Sequence, residues 1–118
     1  MEKEELLNRL DLIEFRQELL FSNTPYDRLL FEYNLSRDQS TSIMDLMDDL
    51  RTQIESGEKV HHGTLEQAIY RIAPNHNANY HFAEAIAQEL HRAGRWEEVF
   101  ATVYGHMPKY QSYMNESR

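Results

Sequence analysis

The residues best equipped for chemistry lie in one short stretch, His76-Asn77-Ala78-Asn79-Tyr80-His81, with Glu84 three positions further on. Two imidazoles and a carboxylate are a donor set for zinc or a harder transition metal. His76, His81 and Glu84 are therefore the candidate metal ligands, and they carry the reading as a metal-dependent or histidine-based enzyme. Their spacing argues against it. His76 falls in a turn, and His81 to Glu84 is one helical step, which matches neither the His-Glu-x-x-His of metalloproteases nor the paired Glu-x-x-His of di-iron bundles. Asp45, Asp48 and Asp49 form a second cluster that would suit a shared proton or a divalent cation. They sit opposite Ile43 and Leu50 on an amphipathic segment, so they face water. No nucleophile motif or glycine-rich phosphate loop is present, and the four glycines read as helix punctuation. Binding is favoured over catalysis, and no cofactor is expected.

Helical elements must position these groups. Helical periodicity runs from about Glu2 to Phe21, and Thr24-Pro25 reads as an N-cap followed by proline at the first helical position. A short helix with Tyr26, Leu29, Leu30 and Tyr33 follows. Ser36-Arg37-Asp38-Gln39 is a capping box that opens a helix to about Ser56, with Ile43, Met47, Leu50 and Ile54 on its one apolar face. Gly57 supplies a left-handed stop, and residues 58–63 read as a mobile polar loop containing His61 and His62. Thr64-Leu65-Glu66-Gln67 reads as a second capping box, opening a helix that Pro74 ends. Phe82, Ile86 and Leu90, with Ala83 and Ala87, stripe a fifth helix that closes at Gly94. Trp96, Val99, Phe100 and Val103 form a sixth. Residues 1–108 are thus expected as one helical domain and 109–118 as a flexible C-terminal tail. There is no strand-like alternation.

Composition narrows the partners. The chain has 118 residues, one domain by size, with a net charge of -8 that opposes phosphate backbones and anionic lipid. The acid is concentrated in the first half and all six histidines lie in the second. Partial protonation near pH ~6 would make that half basic beside an acidic one. A helix-turn-helix drawn over the Pro74 turn would have Arg92 as its only permanent cation against Glu84 and Glu89, so no direct nucleic acid is expected, and a nucleic-acid-associated regulator stays an alternative. No cysteine, no export signal and no apolar run near the ~18 residues of a membrane span point to a cytoplasmic protein without a membrane partner.

The first helix carries an unusual pattern. Leu6, Leu10, Ile13, Leu20 and Phe21 cluster on one face, and Leu12, Phe15 and Leu19 nearly opposite, with Asp11 and Glu18 on one flank and Arg9 and Arg16 on the other. A helix apolar on two sides needs two surfaces to cover it. One is the chain's own core and the other a second copy. Leu12, Phe15 and Leu19, with Trp96 and Phe100 of the last helix as a secondary contact, are the candidate interface between copies, although the pattern alone does not say which stripe is intermolecular.

The segment Tyr26 to Gln39, with Leu29-Leu30-Phe31 and Leu35-Ser36-Arg37-Asp38-Gln39, resembles the YhaI-like family of small Bacillus proteins, as does Gly94-Arg95-Trp96-Glu97-Glu98-Val99-Phe100. The resemblance spans roughly residues 5–107. It implies an oligomeric, all-helical fold in a family without an established activity, and carries over no catalytic or binding residue. The expectation is an all-α, single-domain bundle of about six helices that associates with itself, and with another protein as a second partner, as a binding or regulatory module.

Overall fold

A computed structural model describes residues 2–116, which form an all-helical bundle without strands among the described residues. Six helices account for the bulk of it: α1 (Lys3–Ser22), α2 (Pro25–Glu32), α3 (Arg37–Glu55), α4 (His62–Ile72), α5 (Tyr80–Arg92) and α6 (Glu97–Tyr104). One-turn 3-10 segments at Pro74–His76 and Pro108–Tyr110 and a short α7 (Gln111–Glu116) complete it. Among the described residues no helix is long and apolar enough to cross a membrane.

Local chemistry sets most of the joints. Asn23 adopts a left-handed φ of 50°, and its N–H donates to the Leu19 carbonyl, stopping α1. Thr24 accepts from the Asp27 N–H at 3.1 Å and Pro25 takes the first position, so α2 starts at once and folds back along α1. The Ser36–Gln39 capping box forms as the sequence suggests. Its glutamine does a second task, donating from Nε2 to the Ile72 carbonyl at 3.1 Å and tying the start of α3 to the end of α4. The second capping box does not form: α4 begins three residues early, at His62, with His61 and not Thr64 as its entry, and without a side-chain cap. The His61 carbonyl accepts from the N–H groups of Thr64 and Leu65, so Thr64 lies inside the first turn and not before it.

The core lies where α3, α4, α5 and α6 meet. Ile43, Met47, Leu65, Ile69, Phe82, Ile86, Leu90, Val99 and Phe100 are buried there, and the fully buried Ala83 and Ala87 let neighbouring helices approach α5 closely. Val60 is buried too, which pins the connection between α3 and α4 that composition suggested would be mobile. The C-terminal segment also differs from expectation. Tyr110 is buried and Tyr113 half-buried, packing on Phe100 at ring separations of 5.2 and 5.5 Å, so residues 109–114 belong to the domain. The sequence shows no periodic stripe there because the segment is held by single aromatic anchors. Met1 and residues 117 and 118, assigned from sequence to the two ends, lie outside the described residues.

Candidate functional site

The histidine-rich turn does not assemble a metal site. His76 Nε2 lies 2.9 Å from the Tyr33 carbonyl oxygen, and its ring packs on Phe82 at 4.6 Å. His81 is exposed and rests on its neighbour Tyr80. Glu84 points the other way, into the bundle, where Lys109 Nζ donates to both its oxygens at 2.7 and 2.9 Å and the Tyr110 hydroxyl donates at 2.9 Å. Each candidate ligand has a different partner, and no three histidine or carboxylate groups converge among the described residues.

Around Glu84 the sequence hid a polar cluster. Tyr104 donates to Glu66 at 2.8 Å as Tyr110 does to Glu84, and burial plus these carboxylates hold both phenols well above their ordinary pKa, so they stay neutral donors. His91 packs against Phe100, with Nδ1 2.6 Å from the Tyr113 hydroxyl, and burial lowers its pKa. Tyr110 donates from the segment read as a tail, and nothing in local spacing pairs it with Glu84 twenty-six residues away.

The candidate interface residues are placed differently from expectation. Phe15 and Leu19 are buried on the inner side of α1 and Leu12 is half-buried there. Trp96 and Phe100 are buried in the core, the Trp96 indole N–H donating to Asp48 at 2.7 Å. These contacts are made within one chain because α2 and α3 close over that stripe. Arg16 lies over the Phe31 ring at 3.8 Å and donates to the Phe31 carbonyl and to Asn34, while Arg37 bridges to Glu18 at 2.6 Å. The stripe left on the outside is the larger one: Leu6, Leu10, Ile13, Leu20 and Phe21, joined by Leu7, are all exposed, Phe21 at 94%.

A cleft opens between α1, the start of α2, α3 and the end of α5, with a volume of about 530 Å³. Phe15, Leu19, Leu30, Met44 and Leu90 form its apolar walls; Tyr26 and Ser40 add hydroxyls, and Glu89, Arg92 and Arg95 add charge. Tyr26 is 6% exposed, and its hydroxyl has no hydrogen-bond partner among the described residues. Burial pushes this phenol up to about 12, while Ser40 and Arg95 pull it down and Asp27 pushes it up. Ser40 is near enough to act on it but not placed to bond it. All three of these neighbours line the cleft, so the phenol belongs to its wall. Sequence spacing placed Tyr26 in a short helix and no more; the cleft brings that helix together with α3 and the end of α5, residues as far along the chain as Arg95. Compared with protein-family models, curated proteins and solved structures, the chain matches none of them.

Proposed function

We propose that the protein is a self-associating helical module whose copies pair through the outer face of α1, presenting the bundle as a binding or regulatory unit. One observation carries this reading: a 20-residue helix that leaves six large apolar side chains in solvent, with residues 2–11 exposed throughout. Isolated helical turns of this length are marginal in water, and contiguous apolar patches on monomers are small. A second copy of the chain fits the pattern. Leu6, Leu10, Ile13, Gln17 and Leu20 follow one another at alternating steps of four and three, the seam of a two-stranded coiled coil with a polar residue near its middle to fix register. Arg9 and Arg16 flank the seam on one side and Glu14 on the other. A parallel pair sets the Arg9 flank of one copy against the Glu14 flank of the other, whereas an antiparallel pair sets like charges together.

Light scattering at micromolar concentration tests the reading. The wild type is expected above the 14.1 kDa of one chain, and Leu10→Glu with Ile13→Glu is expected at that mass with its helical spectrum retained, because both side chains are exposed. A wild type that runs as a single 14.1 kDa species overturns it. The chain has no cysteine, so Gln17→Cys reports orientation cleanly: a disulfide-linked dimer forms under oxidation if the seams run parallel and in register.

A further inference from the structure

The α1–α2–α3–α5 cleft carries an observation that self-association does not use. Its wall holds a buried phenol without a partner among the described residues, and buried polar groups are normally hydrogen-bonded. Its mouth holds a cation without an anion. Glu89 is taken by Arg92 at 3.0 Å and Asp27 accepts from the Ser22 hydroxyl, but among the described residues Arg95 has no carboxylate. Its guanidinium rests on the Trp96 ring at 4.6 Å, and Nη2 points to the Met44 sulfur at 3.6 Å, a weak acceptor on the cleft wall. Arg95 and Tyr26 line the same cleft. A phenol without an acceptor and a guanidinium without a carboxylate, among the described residues, thus line one cleft with apolar walls. The volume falls in the range of about 300–1,000 Å³ typical of small-molecule sites, which combine apolar linings with a few convergent polar groups.

We propose that this cleft binds a small amphipathic carboxylate, its apolar body against Phe15, Leu19, Leu30, Met44 and Leu90 and its carboxylate taken by the Tyr26 hydroxyl and the Arg95 guanidinium. A carboxylate is the acceptor that serves both groups at once: one oxygen receives the phenol's hydrogen and the other faces the planar guanidinium fork. A neutral alcohol with the same chain would satisfy the phenol and leave Arg95 as it is. A cation would meet Arg95 with like charge. The site is independent of the outer face of α1, so it stands or falls separately from self-association.

Decanoate is a suitable probe and decanol its neutral counterpart, both titrated below their micellar or solubility limits into the full chain and read by calorimetry. Trp96 emission is a second readout, since Arg95 lies over the chain's single indole. Decanoate is expected to bind once per chain, about tenfold or more tighter than decanol, the difference a charge-assisted hydrogen bond makes. Tyr26→Phe and Arg95→Gln are each expected to weaken decanoate by about tenfold while leaving the helical spectrum unchanged; decanol binding is expected to be unchanged in Arg95→Gln and weakened in Tyr26→Phe, because the phenol is the polar group both ligands use. Arg95 is exposed, so its variant folds even if Tyr26→Phe were to perturb packing. The double variant Leu10→Glu with Ile13→Glu should bind decanoate as the wild type does, which separates the cleft from the exposed stripe of α1. No saturable binding, equal affinity for decanol, an affinity unchanged in either cleft variant, or binding lost with the α1 variant would each overturn the proposal.

Discussion

Two buried tyrosine sites sit in the same small bundle and are built in opposite ways. At the α4–α5–α6 side, Tyr104 and Tyr110 each donate to a carboxylate, Glu66 or Glu84, and Lys109 closes the second pair from outside. At the α1–α2 side, Tyr26 is also buried, yet among the described residues its hydroxyl has no hydrogen-bond partner, and a cleft lies beside it. Among the described residues the first arrangement leaves no buried side-chain polar atom without a partner and so closes the core. The second leaves a donor and a cation waiting, which costs stability in the empty protein and becomes useful when something fills the gap. The difference teaches where to look for binding in a protein that has no catalytic motif: in its unfinished polar chemistry, with the histidine count a poor guide.

The largest effect is expected on the closed side. Glu84→Ala removes the acceptor of Tyr110 and Lys109 while keeping them in place, and should lower stability by about 2–4 kcal/mol, read as a shift in the denaturant midpoint. A shift no larger than that of an exposed glutamate would mean that the cluster does not hold the C-terminal segment. The sharper comparison uses one substitution twice. Tyr110→Phe leaves Glu84 short of a donor and should cost about 1–2 kcal/mol, whereas Tyr26→Phe removes an unsatisfied hydroxyl and should be neutral or stabilising by up to about 1 kcal/mol. Equal losses at both positions would erase the distinction between the sites.

A smaller effect follows from His91, beside the closed cluster. Burial holds its folded pKa below the value near 6.5 of an unfolded histidine. The unfolded chain therefore binds more protons between the two values, so this contribution is fully present above about pH 6.5 and is lost as the pH falls toward the folded pKa. Unfolding between about pH 7.5 and about pH 5.5 should show a stability loss that shrinks in His91→Gln. The smallest effect concerns the outer face of α1. Because each chain carries a net charge of -8, self-association through an apolar seam should tighten modestly as salt rises, and a weakening would point to ion pairs as its basis.

Much of the architecture was legible because its signals are local. The Thr24-Pro25 start, the Ser36–Gln39 box and the glycine stop at Gly57, whose φ is +85°, each depend on residues within one turn. The Thr64–Gln67 box shows the limit. The same four-residue pattern is present, but His62 and Gly63 continue the helix backwards from Thr64, and His61 becomes its extended entry. For α1, periodicity revealed two stripes and could not rank them. The Asn23–Thr24 joint turns α2 toward Phe15 and Leu19, and Arg16 and Arg37 lock that side, so the larger stripe stays outside.

Sequence alone determined the helical class, the joints at Thr24-Pro25, Ser36–Gln39 and Gly57, and the existence of two apolar faces on α1, since a 3.6-residue repeat and a cap are set by neighbours along the chain. Tertiary structure alone decided which face is spent on the core, that Glu84 meets Tyr110 and His76 meets Tyr33, and that Tyr26 is left without a partner beside a cleft. Those outcomes depend on segments tens of residues apart arriving at one place, and no spacing rule along a single helix encodes the distance between two of them.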